Sequence, residues 1–245
     1  MCKAFSCLVT KSGKVYWKVG LDSHEDILRE FQKDDKDLTD KNPVPYNTFA
    51  RVEITPKDGN YLKPKDWVYK VDEKIKPSFL SKEHEFLCRE ALKEWQKKVY
   101  SIINLKEALN PIHPFKIKPP KITQKHLLLL KEWASVRDSV RASVRDSVRD
   151  SVWASVRDSV RDSVRDSVWA SVWDSVWAYT GSLFKLEEWE YIDYSKFKKG
   201  VYPFESAVKL WKQGLVPSFD GKLWKIHGGK DVKVLWSGRI EDIKD

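Results

Sequence analysis

From Ser135 to Ala178 the chain is eleven consecutive tetrapeptides of the form Ser-Val-x-x. The third position holds only Arg or Trp, and the fourth only Asp or Ala. A period this strict repeats one local geometry, and the rest of the fold must be organised around it. In a strand, side chains alternate between faces, so the eleven Val would share a face with seven Asp. That is a poor sheet core. A solenoid needs a corner in each repeat, and the array contains neither Gly nor Pro to make one. In a helix, four residues turn about 400°, so each stripe drifts by about 40° per repeat. A period longer than 3.6 residues favours right-handed supercoiling. Asp138 and Arg141 then become neighbours, which helps by roughly a few tenths of a kcal/mol, while Arg145 and Arg149 repel. Ser, Val and Asp are weak helix formers, so the helix needs tertiary or quaternary contacts. We expect a long central repeat helix, with a β-solenoid as the alternative.

The flanks agree with a helix. Thr123 is a capping residue, and Gln124–Trp133 feeds apolar residues directly into the array. Gly181 is a natural stop. An unbroken helix over 124–179 would be roughly 80 Å long. It would have to project, fold back on itself or pair with other copies. Ser and Ala at four-residue spacing permit close approach of a partner helix, and self-association is the expectation.

The remaining sequence reads as two small α+β units. In residues 1–110, Ala4–Thr10 and Val15–Gly20 have strand character, as do Thr48–Thr55 and Asp66–Val71. Asp22–Asp26 starts one helix, and Ser81 to about Ile103 is a second, amphipathic one. The order is ββαββα. Residues 111–122 hold a proline-rich stretch with four prolines from Pro111 to Pro120, read as an extended linker. Residues 123–180 are the repeat segment. Residues 181–245 read as a short helix, Phe204–Gln213, followed by a hairpin of Lys222–His227 and Val232–Trp236. The fold class is α+β.

Charge and composition exclude more than they assign. The 245 residues carry a net charge of +9, with 24 Lys/Arg against 18 Asp/Glu in residues 1–122 and none in excess across the array. Such a balance assists contact with nucleic acid without demonstrating it. No run of about 18 apolar residues exists, so no membrane span is expected. The start lacks secretory signal features, and three scattered cysteines are no disulfide framework, so a cytoplasmic protein with reduced thiols is expected. His84 and Cys88 share a helix face, but two ligands make no metal site. No phosphate loop, dinucleotide fingerprint or nucleophile elbow occurs. We therefore expect no catalytic residue, no cofactor and no metal. Ser218, Asp220 and His227 fit turn chemistry better than a triad. MCKAFS resembles the start of amidotransferases that use an N-terminal Cys, with Lys3 where Gly is usual.

The remaining signal is a stripe of Trp and Arg at the third repeat position, the types most enriched at interaction hot spots. The candidate interaction residues are Trp153, Arg157, Arg161, Arg165, Trp169, Trp173 and Trp177. The array, the segment Ala178–Phe184, the run Leu210–Gly229 and the opening Phe5–Thr10 with Gly20–His24 together resemble a group of proteins encoded in phage and environmental microbial genomes. That resemblance covers most of the chain and implies a viral or mobile-element context. It carries no activity and no site residues. The expected function is a non-enzymatic binding or assembly protein, self-associating or binding a protein of a host cell. The first alternative is nucleic-acid binding through the basic N-terminal half, and the second an N-terminal Cys hydrolase.

Overall fold

In the computed structural model, residues 5–21, 23–39, 48–57, 62, 66–148, 151–164 and 172–244 are described, the side chains of 151–154 excepted. The fold is α+β, with two antiparallel sheets and helices. It divides into two compact units, Met1–Ser101 with Asp150–Ser155, and Ile102–Arg149 with Val156–Asp245. Among the described residues no helix is long and apolar enough to cross a membrane.

The first unit has the expected ββαββα order. Its strands β1 (Phe5–Thr10), β2 (Val15–Tyr16), β3 (Phe49–Pro56) and β4 (Trp67–Val71) form a sheet ordered β2-β1-β3-β4. Strand β1 is central and buried along its whole length, which is why its sequence is apolar without clean alternation. On one face, Leu8 and Phe49 pack with Leu38 and with Ile27 of α1 (His24–Phe31). On the other, Phe5 meets Trp95 of α2 (Lys82–Ser101) edge-on at 5.9 Å. Buried Cys7 also lies on this second face, beside buried Cys88 of α2, and both thiols are free. Burial, reinforced by Cys88, holds the Cys7 thiol well above its usual range.

The second unit contains α3 (Leu105–Leu109), a 3-10 turn at Pro114–Lys116, and then the array. The array is helical but not one rod. It runs as α4 (Gln124–Val136), a 3-10 turn (Arg137–Ser139), α5 (Val140–Ser147), α6 (Ser151–Val164) and α7 (Trp173–Gly181). Its C-terminal part folds back, with α7 packing on α5. The physical reason is the stripe drift. Eleven valines on one straight helix would sweep through more than a full turn, whereas a segment with three valines sweeps only about 80° and stays within one apolar face. Eight of the nine array valines whose side chains are described are accordingly covered inside the chain: Val140, Val144, Val156 and Val160 are fully buried, and Val148, Val164, Val172 and Val176 nearly so, while Val136 is half-buried.

Helix α8 (Glu205–Trp211) packs on α4 and α7. Strands β5 (Val216–Phe219), β6 (Trp224–Gly228) and β7 (Lys233–Gly238) form a three-stranded sheet in that order. The core of this unit is aromatic. Trp133 lies edge-on to Phe204, and Tyr179 stacks on Trp211 at 5.0 Å. The proline-rich segment is no free spacer. Phe115 is buried, the Ile112 N–H donates to Tyr179 Oη at 2.8 Å, and Trp211 Nε1 donates to the Ile112 carbonyl at 2.9 Å. Its interspersed Ile and Phe side chains give it an apolar surface to bury.

Candidate functional site

Helix α4, the 3-10 turn that follows it and the C-terminal sheet line a groove. Lys131, Ala134 and Ser135 come from α4, Arg137 and Asp138 from the 3-10 turn, Phe219 from β5 and Trp224 from β6, and Ile240 also lines it. The cavity is about 450 Å³. A second hollow of about 250 Å³ shares Arg137 and Asp138 and adds Arg141 and Asp174. Arg137 is the hinge between the two. Its guanidinium lies 5.2 Å from the Phe219 ring centre and 5.7 Å from that of Trp224, a cation–π arrangement over two rings themselves 5.1 Å apart. Asp174, on α7, is pinned between Arg137 Nε at 3.2 Å and Arg141 Nε at 2.6 Å. This bridge ties the outgoing array to the returning array. Arg141 is its outer member, with its side chain 58% exposed.

The aromatic floor is set by the turn between β5 and β6. Asp220 accepts from the N–H groups of Lys222 and Leu223, at 3.0 and 2.8 Å, and pairs with Lys225 Nζ at 2.8 Å. The Leu223 N–H, the Lys225 ammonium and the Lys222 N–H, in that order, hold the Asp220 carboxyl well below the usual carboxylate range. Asp220 therefore does turn chemistry, as expected. Ser218 does something else: its Oγ lies 2.8 Å from His227 Nε2. Ser218 is buried, and Asp220, the carboxylate nearest to the pair in sequence, is taken up by the Lys222 and Leu223 N–H groups and by Lys225, so it is not the third member of a relay with His227. Burial lowers the His227 pKa.

The interaction residues expected from the sequence are spread out. Arg157 and Arg161 lie on α6 and reach solvent, but Arg157 Nη2 is 3.0 Å from Asp158 Oδ1, and Arg161 is 3.7 Å from both Asp158 and Asp162. Trp173 and Trp177 are half-buried on α7. Trp153 is on α6, its side chain outside the described set, and Arg165 and Trp169 lie outside the described residues, as does Cys2. Arg137, Arg141 and Asp174 do not stand out in the sequence, because every Arg and Asp of the array has nearly the same neighbours along the chain. The aromatic pair Phe219 and Trp224, flanking a turn, was the available signal. Among the described residues one group of metal-ligating types converges, His24, Glu53 and Asp72, in the first unit. Their wide separation in sequence concealed it. No family model, curated protein or solved structure matches the chain.

Proposed function

We propose that the protein is a non-enzymatic binding protein whose groove takes an extended, acidic segment of a protein partner. The observation that carries this reading is exposed Arg141 at the end of a groove floored by Phe219 and Trp224. A cation at one end, an aromatic floor at the other and Lys131 along the wall suit a segment with a carboxylate and an apolar side chain a few residues apart. Eight of the array's valines are buried within the chain, and Arg141, Arg157 and Arg161 reach solvent. Arg157 and Arg161 extend the surface, and the neighbouring Asp residues weaken the field a nucleic-acid backbone would need. A second copy of the chain and a protein of a host cell are the two partners this surface suits, in a cytoplasmic, phage-encoded setting.

Anisotropy titrations with labelled peptides alternating Glu and Phe, and with their Lys counterparts, test the proposal. Acidic peptides bind, basic ones do not, and Arg141→Glu or Phe219→Ala weakens binding by about tenfold or more. Steeply salt-dependent binding of random-sequence DNA or RNA, with no peptide binding, would establish the rival reading.

A further inference from the structure

We propose that His24, Glu53 and Asp72 bind a divalent transition-metal ion of the Zn²⁺ or Mn²⁺ class, with at least one coordination position left to water. The sheet brings the three together. Cross-strand pairs Ser6↔Glu53, Leu8↔Arg51 and Thr10↔Phe49 place Glu53 on the face that α1 covers, the face of Leu8 and Phe49. The Asp72 N–H donates to the Arg51 carbonyl at 2.9 Å, which continues β4 by one residue beside Arg51 on that same face. Ser23 caps α1 by accepting from the Asp26 N–H, so His24 is the first helical residue and points at the sheet.

The imidazole is oriented for coordination. His24 is 6% exposed, and its Nε2 lies 3.1 Å from the Val52 carbonyl. A carbonyl only accepts, so Nε2 carries the proton and Nδ1 turns to the carboxylates. Nδ1 is 3.4 Å from Asp72 Oδ2, and the ligating atoms of all three residues lie within 4.8 Å of one another. An imidazole Nδ1 that faces carboxylate oxygens needs a positive charge between them, either a proton on the ring or a metal ion. The separation favours a metal ion over a proton. A charge-assisted N–H···O bond closes to about 2.7–2.9 Å. Two ligands about 2.1 Å from one metal, at a tetrahedral angle, stand about 3.4 Å apart. Support of a ligating His by a backbone carbonyl on its far nitrogen is also how metal-bound imidazoles are held.

The donor set names the class. One imidazole and two carboxylates with no thiolate suit borderline divalent ions, and the two negative charges neutralise the ion. Three protein ligands leave a position open. Arg51, beside Asp72 on the sheet, does not oppose binding: its Nη1 is 3.1 Å from Glu73 Oε1, and that Glu73 side chain is only 7% exposed. Glu25, next to His24, accepts from Ser23 Oγ, and Lys70, opposite Glu53, is exposed.

The full chain, stripped with chelator and titrated with Co²⁺ or Zn²⁺ alone by calorimetry, tests the site. Saturable binding of one equivalent is expected, with a visible Co²⁺ ligand-field spectrum. Asp72→Asn and Glu53→Gln each weaken the affinity by at least about tenfold while circular dichroism stays unchanged. His84→Gln, in the same unit, leaves it unchanged. Absence of stoichiometric binding, or binding that survives both carboxylate changes, or binding lost equally in His84→Gln, overturns the proposal. The site does not rest on the groove, and peptide binding is expected to be the same in all three variants.

Discussion

At Gly181 an added Cβ would stand 2.8 Å from Val144 Cγ2 and collide with Tyr202 Oη. The sequence suggests a helix stop here, and α7 does end at Gly181, but the residue is needed for closeness: α7 must pass against α5 with Tyr202 hydrogen-bonded to the Ala178 carbonyl. Gly181→Ala should therefore destabilise by about 1–3 kcal/mol in urea melts, and adding Tyr202→Phe should recover part of the loss. No recovery would mean that Val144, not Tyr202, sets the limit. Asp220 supplies a second test at this scale. Its folded-state pKa is depressed, so its stabilisation is present above the ordinary carboxylate value and is lost as pH falls through the lower folded value. Asp220→Asn should flatten the loss of stability between about pH 5 and pH 2. Identical acid slopes in the two proteins would show that the turn charge contributes nothing.

Helix boundaries in this chain are decided by packing more than by local signals. The start of α4 was legible, because Thr123 precedes an apolar run and its N–H donates to His126 Nδ1 at 3.1 Å. Thr123→Ala should cost about 1 kcal/mol, read from the shift in denaturation midpoint. The breaks inside the array had no Gly or Pro to announce them. They fall where Val136 and Val148 leave helical geometry, and they reset the valine stripe. Register is thus the sensitive variable. Deleting Ser159–Asp162 keeps all four stripes in sequence and turns the following chain by about 40°. Deleting Ser159 and Val160 alone moves Asp into the buried valine positions beyond the cut. The first variant should melt cooperatively at a lower temperature, and the second should lose cooperativity. Equal melts would make the array a passive connector. Strand β5 was missed for a local reason: Pro217 demotes a strand reading. Its place at the edge of the sheet is where a missing donor is tolerated.

For the whole molecule, the question is what the array leaves on its outside. With eight of its valines covered, an assembly of copies through the array would use its Arg, Asp and Trp positions. Self-association measured by sedimentation should therefore weaken as salt rises, because exposed charge pairs are screened within about 10 Å at 0.1 M. A strictly monomeric chain at every concentration would remove assembly from the proposed function. An oligomer indifferent to salt would move the interface to an apolar surface elsewhere.

The sequence by itself determined the order of elements in residues 5–101, the helical nature of the array and the hairpin of β6 and β7. In each case the information is local: strand alternation, a strict four-residue period, turn residues at the right offset. It also indicated an Arg and Trp surface, but not which members converge. Only the tertiary structure decided that the array folds back, that Asp174 bridges Arg137 and Arg141 across it, and that His24, Glu53 and Asp72 meet. Repeats are degenerate by construction: every Arg and Asp in the array has nearly the same sequence neighbours. Which of them pair is fixed by where the helix breaks, and that depends on the aromatic core of Trp133, Tyr179, Phe204 and Trp211, whose members lie up to 78 residues apart in the chain.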